Sequence, residues 1–349
     1  MRLTRDVNLD EESRMLCRSV AEFREQVLAD RARDLDEEAS SGVVEDAFKR
    51  AASLGLAAAL VSEEAGGQGM DSFSFCLALE EVAQGSAGLA AVLLAHNLAL
   101  WALEKAGAAR YLEPLLSGDA WAAAGWPLDV EDARARASFV PGGSGASLLV
   151  MVSPEGEVFA AAPGDGVSVE EIERPMGWRA SRPATVALDL SASSRAGSLD
   201  DAGLIGLERG MLAGLSSMAL GISRHAFEKA RAYAAERWQA CDYIINHQQM
   251  RLMLGGMLAG IETGEAALKQ LALQGDGGRS ALRAHRALKI LTCGNAMQAA
   301  LDGVQMHGGY GYMRDYGMEL LMRDAKTCQV YPRSPQEETL SLLELDQDR

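Results

Sequence analysis

Apolar positions recur at helical spacing through the first third of the chain, with Leu16, Val20, Phe23 and Val27 on one face after Asp10, a residue suited to cap a helix. The pattern predicts a second helix over 44–54 stopped by Gly55, and a glycine-rich turn over 60–71. An amphipathic stretch over 73–83 closes at Gly85, and a shorter helix ends near Gly118. Between them the run 89–103 is apolar all round, broken only by His96 and Asn97. It reads as a buried helix, shorter than a membrane span. From Trp121 the period changes. Runs over 148–152 and 158–162 flank Pro154-Glu-Gly156 and predict a β-hairpin, and 185–190 predicts a further strand. Helical spacing returns near Gly203 and holds to the end in three or four long helices, one over about 280–304, with a turn at 275–278. The chain is therefore expected to be mainly α with a small β domain: an N-terminal helical domain over 1–120, a shortened middle β domain over 121–200 and a C-terminal helical bundle over 201–349.

Composition narrows the functional classes. The 349 residues are 48% apolar and 23% charged, as in globular proteins. The 33 basic against 49 acidic residues leave a net charge of -16, which repels nucleic acid and anionic membrane surfaces and predicts neither as a partner. Cys17, Cys76, Cys241, Cys293 and Cys328 are scattered and odd in number, which argues for a reducing, cytoplasmic setting. His96, His225, His247, His285 and His307 show no metal-ligand spacing, so no metal site is expected. No nucleophile elbow or phosphate loop is present in the sequence.

The tail carries Gln305-Met-His-Gly-Gly-Tyr-Gly-Tyr312, then Glu319-Leu-Leu-Met-Arg-Asp-Ala-Lys326, then Tyr331-Pro332. Here the chain resembles the acyl-CoA dehydrogenases, and the likeness extends to the glycine-rich turn at 60–71, to Met176-Gly-Trp-Arg-Ala-Ser181 and to the stretch from Glu236 to Gln248. The resemblance implies a C-terminal four-helix bundle through which the family tetramerises, an acyl-CoA thioester substrate and FAD as cofactor. In that family a base removes the proton on Cα while a hydride passes from Cβ to the flavin. The resemblance also implies that Arg237, His247, Gln248, Gln305, Gly308 and Gly309 reach a flavin held chiefly by a neighbouring subunit; an Arg guanidinium suits a pyrophosphate, and glycines allow close backbone approach.

The same comparison marks what is missing. After Tyr331 the family carries Glu-Gly-Thr, whose Glu is the base; this chain has Pro332-Arg333-Ser334. Proline has neither a titratable group nor a backbone N–H, so no catalytic residue is assigned. The family's own-subunit flavin contacts from the β domain have no counterpart at 125–130 or beyond, and Ala240-Cys241 replaces Phe-Gly. Tyr310 and Tyr312 are expected to pack on the bundle, 323–326 to end a helix, and 176–181 to form either a surface turn or a remnant of the family motif. Three functions stay open. The chain is a subunit lending contacts to the FAD of a catalytic partner in a hetero-oligomer; or a homo-oligomeric dehydrogenase with a relocated base, Glu208, Glu337 or Glu338; or a non-catalytic acyl-thioester binder.

Overall fold

The computed structural model describes residues 9–37, 42–126, 129–131, 134–164, 166–190, 195–273 and 278–347. Among the described residues, six α-helices build the N-terminal part: α1 (Glu11–Phe23), α2 (Ala32–Glu37), α3 (Val44–Ser53), α4 (Ser72–Gly85), α5 (Ala87–Lys105) and α6 (Glu113–Leu116). Side chains cap several of them. Asp10 accepts from the Ser13 amide, Asp71 from Phe73 and Ser74, and Ser86 from Leu89. The α5 helix is surrounded by protein, which explains its lack of an amphipathic stripe. At 19 residues it is long and apolar enough to cross a membrane, so the expectation that the run falls short of a span does not hold. Burial on all sides accounts for its composition instead.

Two four-stranded sheets follow. β1 (Ala122–Gly125), β4 (Leu148–Val152), β5 (Glu157–Ala161) and β8 (Arg195–Ser198) form one, with β1 parallel to β4. β2 (Asp129–Glu131), β3 (Arg134–Val140), β7 (Ala184–Asp189) and β6 (Val167–Glu171) form the other, antiparallel throughout. The expected hairpin is β4–β5, in register Val152 to Val158.

The C-terminal part is helical, as expected, with three long helices, α7 (Asp201–Glu236), α8 (Gln248–Leu273) and α9 (Gly278–His307), and two of 13 residues, α10 (Met318–Val330) and α11 (Pro335–Gln347). Most of the turn expected at 275–278 lies outside the described residues. Glycines set the approach of α7 to α5: a Cβ on Gly206, Gly210 or Gly214 would lie 3.0, 3.1 and 2.4 Å from Trp101, Leu98 and Leu94. Those large side chains fill the seam between the two helices.

Candidate functional site

Two regions bear on function, one closed and one open. The closed region surrounds Tyr331, the residue before the altered turn. Here α5, α7, β1 and β4 enclose a cavity of about 30 Å³ lined by apolar and aromatic residues, among them Leu94, Leu98, Trp126, Trp178, Leu207 and Tyr331. That is room for about one water, whereas small-molecule sites run to several hundred Å³. Tyr331 packs on Trp178 and Phe139, with ring centroids 5.4 and 5.7 Å away, and burial pushes its phenol pKa upward. An isoalloxazine does not fit this cavity as its side chains stand.

The wall behind Trp178 is locked to α10. Trp178 has φ 54°, and its amide donates to Asp324 Oδ1 at 2.7 Å. A Cβ on Gly177 would sit 2.3 Å from the Arg323 carbonyl oxygen, so only glycine permits this contact. Burial pushes the Asp324 carboxyl up to about 7. Arg323 bridges Asp36 at 2.8 Å and Glu319 at 2.6 Å and donates to the Met176 carbonyl at 3.0 Å. Two expectations are thereby corrected. The segment 323–326 lies within α10, not at its end, and Trp178, Ala180 and Ser181 are buried, so 176–181 is no surface turn.

None of the three alternative carboxylates lines the cavity. Glu208 follows the cavity residue Leu207 on α7, but its Oε1 accepts from Arg286 at 2.6 Å and from Arg333 at 3.5 Å. Glu337 is exposed and accepts from the Ser334 hydroxyl and amide, both at 2.7 Å, while Ser334 Oγ accepts from the Glu337 amide. This is a capping box starting α11, and those bonds hold the Glu337 carboxyl below its ordinary pKa. Glu338 is buried with its carboxylate 3.7 Å from Lys289 Nζ, and burial pushes its pKa up.

The open region is a cleft of about 890 Å³ where α7 and α9 end and α8 begins. Five of the six expected cofactor residues line it: Arg237, His247, Gln305, Gly308 and Gly309. Gln248 does not; it opens α8 next to His247. Arg237 ends α7 and makes no ion pair among the described residues, so its guanidinium is available to an anion. A two-residue hairpin, β9 (Trp238–Gln239) with β10 (Asp242–Tyr243), follows it. His247 braces that hairpin by donating from Nε2 to the Gln239 carbonyl at 3.0 Å. On the far side Gly308, at φ 58°, stops α9. No atom lies within 4 Å of a Cβ built at Gly308 or Gly309, so this backbone is open to the cleft.

The structure adds an aromatic wall of which the sequence singled out only Tyr310. His307 stacks on Tyr233 with centroids 4.2 Å apart and planes at 23°, and Tyr316 meets it edge-on at 5.8 Å. Tyr310 leans on Tyr316 at 5.2 Å. The one available signal was His307 inside the glycine motif, four residues beyond Gly303. Tyr312 does not pack on the bundle as expected: it is 83% exposed, and with Trp238, Met313 and the half-exposed Tyr310 it leaves apolar surface at this end of the molecule. A free guanidinium, an amide side chain, open backbone and ring faces together suit a phosphate ester carrying a heterocycle.

Comparison with known proteins bears on this geometry. Residues 10–119 match the N-terminal domain model of acyl-CoA dehydrogenases and residues 203–332 match the C-terminal domain model. The short-chain-specific acyl-CoA dehydrogenase of Clostridium acetobutylicum is 27% identical, over 93% of this chain and 95% of its own length. The NADH-dependent acryloyl-CoA reductase of Anaerotignum propionicum is 26% identical, over 93% and 92%. The solved butyryl-CoA dehydrogenase of Megasphaera elsdenii shares the fold, with a TM-score of 0.83 at 22% identity over 97% of this chain and 98% of that one. The chain belongs to the acyl-CoA dehydrogenase family, a family of flavoprotein oxidoreductases.

Proposed function

We propose that this chain is the flavin-lending, non-catalytic subunit of a heteromeric acyl-CoA dehydrogenase of α2β2 type. The carrying observation is a contrast: the cavity beside Tyr331 has about 30 Å³ and no carboxylate among its described lining residues, while the cleft of about 890 Å³ at the far end of α7 and α9 is lined by Arg237, Gln305, Gly308 and Gly309, groups suited to phosphates and rings. Arg237, Gln305 and the Gly308–Gly309 backbone would hold the pyrophosphate and adenosine half of FAD bound chiefly by the partner, with His247 keeping the hairpin in place. When bound, that flavin supplies the hydride acceptor for α,β-dehydrogenation of an acyl-CoA thioester.

Glu208 is committed to two guanidinium groups, Glu337 to its capping box and Glu338 to Lys289. Recruiting any of them as a base would first break those contacts, and this favours the subunit reading over a relocated carboxylate. Assembly would use the outer surfaces of α8 and α9, where Leu252, Leu291 and Leu301 are exposed and Gly255, Gly256 and Gly294 leave open space for a neighbouring helix.

The test is coexpression with a second family member that carries Glu in the turn after the Tyr, followed by counting flavin per tetramer. Half as many flavins as subunits is the expected result, with this chain colourless when purified alone. One flavin in every subunit overturns the proposal.

A further inference from the structure

His307, a polar residue lining the open cleft, is fixed from three sides. The residue is 5% exposed, and its ring lies flat on Tyr233 and is met edge-on by Tyr316. Its Nδ1 stands 2.8 Å from the carbonyl oxygen of Gly303. An oxygen that can only accept requires the proton to be on Nδ1, and this settles the tautomer of the neutral ring. Nε2 is then a lone-pair acceptor, with no hydrogen-bond partner among the described residues, on a side chain that lines the cleft. Burial foremost, with the nearby Lys229 charge adding to it, draws the imidazole pKa below its ordinary value against the opposing Gly303 bond, so the ring is neutral at pH 7.

We propose that His307 reads the nucleoside of the ligand in this cleft, its Nε2 accepting a hydrogen bond from a ribose hydroxyl or from the adenine amine. A fully ionised phosphate has no proton to offer such an acceptor, whereas hydroxyl and amine groups do. The cleft thus divides its work: Arg237 takes the phosphates, and His307 selects for what they are attached to. Once a ligand covers this acceptor, an end without a donor would leave it unpaired, so an apolar ligand end is disfavoured. This inference rests on reading the cleft as a nucleotide seat.

Equilibrium dialysis of the full chain against ADP and inorganic pyrophosphate separates the two claims. His307→Phe keeps a ring on Tyr233 but removes the acceptor. It should weaken ADP roughly three- to tenfold, the worth of one hydrogen bond, and leave pyrophosphate unchanged. His307→Gln, which restores an acceptor oxygen, should recover part of the loss, while Arg237→Gln should weaken both ligands. Binding of 2′-deoxy-ADP, 3′-deoxy-ADP and inosine diphosphate to wild type and to His307→Phe names the donor, since affinity for the analogue lacking it is unchanged by the substitution. ADP affinity unchanged in His307→Phe, or pyrophosphate weakened equally, overturns the role of His307 alone. Loss of FAD when the chain is purified alone is compatible with weak binding, so the dialysis runs to millimolar ligand; if wild type binds neither ADP nor pyrophosphate there, the nucleotide seat itself is wrong and this inference falls with it.

Discussion

Cys241 stands in the left-handed backbone region at φ 64°, beside Ala240 at 52°, in the turn of the β9–β10 hairpin that borders the cleft. A Cβ in that conformation costs about 1–2 kcal/mol, of which glycine gives back part through its freer unfolded chain. Cys241→Gly should therefore raise stability by about 1 kcal/mol, read as a higher urea midpoint; no shift would mean that neighbouring contacts support the cysteine. His96 acts through charge instead. Buried in α5, it accepts from the Ala122 amide at Nδ1, 3.0 Å away, and burial draws its pKa down to about 4 from 6.5. The unfolded chain takes up this proton near pH 6.5 and the folded chain only near pH 4, so the contribution is complete above 6.5 and fades as pH falls toward 4. The linked loss is about 3 kcal/mol. Unfolding free energy measured from pH 7 to 4.5 should fall more steeply in wild type than in His96→Gln. At this scale the sequence was legible where one side chain decides the chemistry, as at Pro332. It was silent on Tyr233, His307 and Tyr316, because Tyr233 meets the other two only where α7 reaches the end of α9, more than seventy positions along the chain.

Among the elements, α10 and the 176–181 turn form the tie that matters most. Gly177 lies against the backbone of α10, where an added methyl has no room, and Trp178 is pinned by Asp324. Gly177→Ala should cost about 1–3 kcal/mol, in the range of overpacked cores. It should also raise proteolytic cleavage between β6 and β7 if the turn lifts away; unchanged melting would show that α10 can shift instead. The long helices and the β4–β5 hairpin were legible from period alone. β3 was not: Arg134-Ala-Arg-Ala alternates correctly, burying Ala135 and Ala137, but alanine carries little strand preference and the signal stays weak. The charged run at 323–326 suggested a helix end because Asp36, which pairs with Arg323 from another helix, could not be placed without the fold.

For the molecule as a whole, the order of motifs was enough to read the fold, and the lined-up cleft residues followed from it. Closure of the region beside Tyr331 was not readable, since Leu94, Leu98 and Trp101 look like any core residues until the glycines of α7 are seen to face them. The seam they fill has a thermodynamic consequence. A protein whose interior is completed by a bound molecule gains stability with the supply of that molecule, as the logarithm of its concentration over the dissociation constant. Here leucine and tryptophan side chains complete the interior permanently. In a mixed assembly this half would hold its shape through cofactor shortage, leaving a ready template on which an emptied partner could be refilled.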